Sequence, residues 1–308
     1  MARRRAGEDV HGWVVLDKPF GMTSTRAVAR VKRLLNARKA GHAGTLDPLA
    51  SGLLPVALGE ATKTVPYVMD GAKTYSFSVR WGIETNTDDA QGEPVASSDS
   101  RPDLESIEAA AAQFVGEITQ VPPAFSAIKV EGERAYDLAR KGAPPQLAAR
   151  AAWVHSLRHL GLTDADHSRF EAECGKGTYV RALARDMGRE LGCFGHVTAL
   201  RRTGVGPFSE TDMISLEKLE ELRHSAAAPG DMGYFLRPVE TALDDIPALA
   251  VSRSDAARLK RGQAILLRGR DAPPEQGTVY ATAGGTLVAL GEIKRGELHP
   301  KRIFHLAE

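Results

Sequence analysis

Asp47 is the side chain best placed for chemistry. It lies in GHAGTLDPLASG, after His42 and directly before Pro48, where Gly, Ser, Thr and Pro crowd the chain and no hydrophobic period runs. Small residues of this kind let a backbone approach a ligand closely, and loops carried on a scaffold hold many binding and catalytic groups. A carboxylate in such a place can act as a covalent nucleophile or as an anionic stabiliser. An Asp before Pro in a loop is most often simply a turn former, so at this point the catalytic reading stands only beside that commoner one.

Several rival chemistries lack their local signatures. The chain has neither GxxxxGK[ST] nor a strand-linked GxGxxG, and HExxH and GxSxG are missing too. Its two cysteines, Cys174 and Cys193, are too far apart for a CxxC metal or redox pair and are read as reduced, packed thiols. Neither a metal nor an organic cofactor is expected.

The elements that must position Asp47 follow from hydrophobic periodicity. GWVVLDKP reads as a short strand, and Ser24 as the N-cap of a helix with Ala27, Val28, Val31, Leu34 and Leu35 on one face and Arg26, Arg30, Lys32 and Arg33 on the other. LLPVALG is a strand after the Asp47 loop, and residues 73–83 alternate as another. Residues 85–93 form an acidic turn region, and 103–115 a helix with Leu104, Ile107, Ala111 and Phe114 in phase. The segment FSAIKVEGERAYDLARKG mixes strand-like and helical pieces as an excursion from the scaffold, and two strands are expected within 153–175. A helix begins near Tyr179 with Val180, Leu183, Ala184, Met187 and Leu191 as its apolar stripe and Gly192 as its stop; VTALRRTGVGPF follows as a strand. From about Ser225 to Asp245 the pattern lapses, which predicts a hinge. Beyond it a helix is expected around Ser254–Arg261, with strands near 263–268, 277–283, 286–293 and 302–306.

At 308 residues and 43% hydrophobic content the chain can bury a sizeable core. No run approaches the roughly 18 to 20 apolar residues of a membrane span, and MARRRAGEDV lacks the apolar stretch of a secretory signal, so the cytoplasm is the expected compartment. The net charge of +1 conceals basic clusters at Arg3–Arg5, at Arg26 to Lys39, at Arg201 with Arg202, and at Lys294 to Arg302. Such patches suit a phosphate backbone, although a run of charge is more often a solvated face.

The segment GHAGTLDPLASGLLPVALGEATK resembles the signature of the TruB-type pseudouridine synthases, GHTGTLDPLATG followed by LPV and GEATK, with Ala43 and Ser51 replacing threonines. KTYSF around Tyr75, TNTDDAQG, FSAIKVEGERAYDLARKG and GTYVRALARDMGRELGCFGHVTALRRTGVGPF agree in the same order, over residues 12 to about 216. The departures are Asn86 in the acidic segment and Trp81 before Gly82.

This resemblance implies an α+β fold: a mixed, mostly antiparallel sheet with surrounding helices, an RNA-binding insertion and a small β-rich, PUA-like C-terminal domain. The implied division is a catalytic domain over 1–235, with its insertion at about 124–152, and an RNA-binding domain over 246–308. Uridine 55 in the T arm of tRNA is the implied target, isomerised without cofactor or metal and with no guide RNA; a monomer is the default expectation. Asp47 falls on the family's nucleophile, attacking the sugar or assisting base departure, and Arg181 on its partner. The implied roles continue with Tyr75 stacking the uracil and relaying a proton, Tyr179 lining the pocket and Leu200 as an apolar contact to the base. His42 would occupy the space left by the flipped nucleotide, Lys18 and Pro19 would shape the pocket floor, and Asp89 would belong to an acidic loop that grips RNA. Two alternatives stay open: a guide-RNA-dependent subunit of the related archaeal and eukaryotic type, and a tRNA-folding chaperone, a role compatible with catalysis.

Overall fold

The computed structural model describes residues 7–130, 132–224, 235–267 and 276–306. Its scaffold is a sheet built on β1 (Gly12–Lys18), β2 (Ala50–Leu58), β3 (Lys73–Trp81), β4 (Gly116–Gln120), β5 (Arg150–Leu162), β6 (His167–Cys174), β7 (Gly195–Val205) and β8 (Ile214–Ser215). The spatial order is β8-β1-β2-β7-β3-β6-β5-β4. Only the β8–β1 and β2–β7 neighbours of this path are parallel; the others are antiparallel, as a mixed and mostly antiparallel sheet requires.

Strand alternation divides the apolar side chains between two cores. Val14 and Leu16 of β1 face a large cluster that includes Ala27 and Val31 of helix α1 (Ser24–Leu34) and Ile107 of helix α2 (Leu104–Gln113). Val180, Leu183, Ala184 and Met187 of helix α3 (Val180–Glu190) join the same cluster. Trp13 and Val15 point the other way, into a cluster shared with Val239, Leu243, Leu287, Leu290 and Phe304.

The described part of the expected hinge is therefore packed. Leu236 and Arg237 pair with β1, and Val239–Leu243 forms a short 3-10 helix whose apolar side chains are buried. The expected pattern loss at 225–234 lies outside the described residues, as does the cluster Arg3–Arg5. The C-terminal part forms a five-stranded sheet over helix Arg253–Lys260. Its last strand runs over Glu297–Ile303 instead of 302–306, and a further strand covers Ala248–Ala250. Pro300 obscured the former in the sequence: it sits opposite Gly291 at a register irregularity, where a missing N–H is tolerated.

Helix α1 starts differently from the reading of Ser24 as its cap. Thr23 caps it, accepting from the Arg26 N–H, which frees the buried Ser24 for another task. No helix among the described residues is long and apolar enough to cross a membrane.

Candidate active site

Asp47 stands three residues before β2, and its loop is held from three sides. The Ser24 hydroxyl donates to the Leu46 carbonyl at 2.8 Å and accepts the Leu46 N–H at 2.9 Å, tying the loop to α1. On the far side the Gly21 N–H donates to the Pro48 carbonyl at 2.7 Å. From beneath, the fully buried Arg202 of β7 donates to the carbonyls of Leu53, Thr45 and Gly44 at 2.8, 3.4 and 3.2 Å. Gly52 permits this brace: it has φ +96°, and a Cβ there would meet the Arg202 carbonyl at 2.3 Å.

A cavity of about 630 Å³ opens beside the loop, within the range of small-ligand sites. Asp47, Tyr75, Tyr179, Arg181 and Leu200 all line it, together with Lys73, Ser126 and Arg202. Arg181 reaches it from the first turn of α3. Its Nη2 forms an ion pair with Asp47 Oδ2 at 2.8 Å, and its side chain is only 4% exposed against 34% for Asp47. The same nitrogen donates to the Phe125 carbonyl at 3.0 Å, while Nη1 donates to the Thr87 carbonyl at 2.8 Å and to Asp89 at 3.3 Å. A guanidinium fixed by so many acceptors has little rotamer freedom left, so it orients the carboxylate that faces the cavity.

Tyr75 lies directly across the β3–β7 pairing from Arg202. Burial pushes its phenol up, with Arg202 opposing; Tyr179 is likewise pushed up by burial and by Asp47. Both hydroxyls therefore remain protonated donors near neutral pH. Leu200 supplies the apolar wall.

The remaining expected residues sit outside the cavity wall. Lys18 is buried and donates to the carbonyls of Pro19 and Met22 at 2.9 and 2.7 Å; burial pulls its pKa down to about 8, with Asp47 opposing. It shapes the turn behind the Asp47 loop. His42 is the end of a short strand, Ala40–His42, paired with β2 opposite Val56, and not a turn residue; burial lowers its pKa. Asp89, expected to contact the substrate, is buried behind Arg181, where it accepts from Thr87 Oγ1 at 2.7 Å and the Gln91 N–H at 2.9 Å.

Some of the expected RNA-facing charge is engaged inside the protein. Arg202 braces the Asp47 loop, and Arg201 pairs with Asp17 at 3.0 Å and Glu210 at 2.9 Å. Arg30 of α1 donates to Glu220 at 2.8 Å, whereas Arg26, Lys32 and Arg33 are exposed. Lys294 and Lys301 share Glu292 at 2.9 and 2.7 Å. Sequence reasoning also passed over Lys73, a cavity residue whose buried ammonium donates to the Met69 and Gly71 carbonyls and whose pKa falls to about 8. Its place at the head of the KTYSF segment was the signal available.

The model of the N-terminal domain of the TruB family of pseudouridylate synthases matches residues 32–180, and two C-terminal models of the same family match 181–244 and 247–304. The chain belongs to the TruB family. Among curated relatives, a tRNA pseudouridine synthase B of Nitrobacter winogradskyi is 64% identical over 99% of this chain and 85% of its own length. Another of that name, from Agrobacterium fabrum, is 55% identical over 98% of this chain and 97% of its own. Two solved structures share the fold of this TruB-family chain. One is a Cbf5-Nop10-Gar1 complex, with TM-score 0.73, 28% identity, and 96% of this chain and 85% of that one covered. The other is an H/ACA RNP bound to a substrate RNA containing 2'-deoxyuridine, with TM-score 0.75, 25% identity, and 99% and 92% covered. This TruB-family protein is accordingly a pseudouridine synthase, and the cavity beside Asp47 is the site to which that chemistry must be fitted.

Proposed function

We propose that this enzyme isomerises uridine 55 in the T arm of tRNA to pseudouridine, with Asp47 as its nucleophile. The carrying observation is the Asp47 carboxylate held at 2.8 Å by the buried Arg181 on the wall of a cavity that Tyr75, Tyr179 and Leu200 also line. The names of the curated relatives supply the tRNA specificity of the reading.

In the reaction the C1'–N1 bond breaks, the uracil turns, C5 bonds to C1', and the C5 proton leaves while N1 gains one. No electron is gained or lost, so the reading needs no redox cofactor, and with Asp47 as nucleophile it assigns no step to a metal. Asp47 attacks the sugar or assists departure of the base, Tyr75 stacks the freed uracil and relays a proton, and Leu200 and Tyr179 confine it. Extruding the nucleotide costs a few kcal/mol of unstacking, which His42 offsets by filling the vacated space. A T-arm loop base suits shape-based readout. The catalytic domain spans 1–235 in this reading, its 124–152 insertion and the PUA-like 246–308 domain grip RNA backbone, and the protein works as a cytoplasmic monomer.

The test uses unmodified tRNA carrying tritium at uridine C5, with EDTA and without guide RNA. Wild type should release tritium from position 55, and Asp47→Asn should be slower by at least about 10³-fold, the scale of losing a nucleophile. Release that requires an added guide RNA would instead favour the guide-RNA-dependent alternative. In a growth comparison between wild type and Asp47→Asn, full rescue by the variant would favour the chaperone role.

A further inference from the structure

Arg181 is one of two arginines that α3 presents to the same pair of segments. Arg185 lies one turn further along, at the i+4 position that shares a helix face. It is 6% exposed and repeats the bonding of Arg181. Its Nη1 donates to Asp88 Oδ2 at 2.8 Å, its Nη2 to the Val121 carbonyl at 2.9 Å, and its Nε to Asp186 at 2.8 Å. Each guanidinium thus takes one carboxylate of the acidic loop, Asp88 or Asp89, and one carbonyl at the root of the insertion, Val121 or Phe125.

The root itself is stitched to the start of α3. Gln120 accepts the Tyr179 N–H at 3.1 Å and donates to the Tyr179 carbonyl at 3.3 Å. From this root the chain leads into a small hairpin, Lys129–Val130 with Glu133–Arg134, and then helix Ala135–Arg140. A shift of the root would therefore pull on both guanidinium groups, and one of them holds Asp47.

We propose that Arg185 and Asp88 form a second clamp that locks the insertion root to the acidic loop, so that RNA held by the insertion sets the orientation of Arg181 against Asp47. Arg185 and Asp88 are positioning residues in this scheme, since neither lines the cavity. It rests on the proposed reaction for its substrate.

Stability alone does not account for the pair. Burial pushes Asp88 up to about 6 even though Arg185 and Arg181 face it, with Glu84 adding to the rise and Arg189 opposing it. Asp88 also takes φ +60°, a conformation that non-glycine residues adopt only at some expense. A buried ion pair of this kind is commonly no better for stability than an apolar substitute, and what it does supply here is fixed geometry.

The experiment compares wild type, Asp88→Asn, Arg185→Ala and the double variant on unmodified tRNA, with kcat and KM measured separately and melting temperatures alongside. Each single variant should lose about tenfold in kcat, in line with removing groups that orient a reacting site, while KM changes less than about twofold. The double variant should fall no further than the worse single one, because the pair acts as a unit. Hydrogen exchange supplies a readout independent of turnover. In wild type tRNA should protect residues 85–92 together with 120–126; in Arg185→Ala the protection of 85–92 should disappear while that of 120–126 remains. Unchanged kcat at saturating tRNA, additive losses, or 85–92 protection that persists without Arg185 would overturn the clamp. Failure of wild-type turnover on tRNA would count against the proposed reaction, and the exchange pattern would still decide the clamp.

Discussion

The Asp47 loop and the insertion face each other across the cavity and are held by different means. The loop is anchored from α1, β7 and the turn after β1 through the buried side chains of Ser24 and Arg202 and the main chain of Gly21. The insertion has two-residue strands and a six-residue helix. It coheres through Phe125 packed edge-on to Tyr136 at 6.2 Å, Arg140 over the Tyr136 ring at 4.4 Å, and an exposed Lys141–Glu133 pair at 3.0 Å. Under the proposed reaction the Asp47 carboxylate needs its geometry fixed before substrate arrives, whereas an insertion that wrapped RNA would gain from weak internal bonds that can rearrange.

That contrast can be broken from the rigid side. Replacing Arg202 by Met should lower kcat by about 10²-fold, because three loop carbonyls lose a buried donor and the loop can shift by the ångström that matters; pre-steady-state tritium release would read it. Ser24→Ala removes two buried bonds to Leu46 and should cost about 1–3 kcal/mol of stability, seen in urea unfolding, with a smaller fall in kcat. The soft side should respond differently and least. Tyr136→Ala removes the ring contacts within the insertion and should raise KM for tRNA by about threefold with kcat unchanged, as expected for lost uniform binding. A large kcat effect of Tyr136→Ala would show that the insertion is part of the rigid frame.

Much of this arrangement was legible from residues alone. Alternation marked β1 and β3, a 3.6-residue period marked α1 and α3, and collinear segments brought Asp47, Tyr75, Tyr179, Arg181 and Leu200 to one cavity. What escaped notice depends on contacts between distant parts of the chain. Ser24 read as a cap because its local sequence suits one, yet its partner is Leu46, 22 residues away. Arg202 read as surface charge beside Arg201, since alternation along β7 could not say that its face meets the Asp47 loop. Asp89 read as an RNA contact because an acidic loop is ordinarily exposed; its burial depends on Arg181, 92 residues further on.

The second core has a consequence for how the protein is made. Trp13 and Val15 are synthesised well before Leu287, Leu290 and Phe304, which share their cluster. At roughly 5–20 residues per second, about 15 to 60 s separate the two events, and for that interval one face of the first strand lacks part of its final cover. A nascent chain stalled before Leu287 would thus leave Trp13 and Val15 short of part of their cover, which makes synthesis of the C-terminal sheet itself a step in completing the core of the first strand.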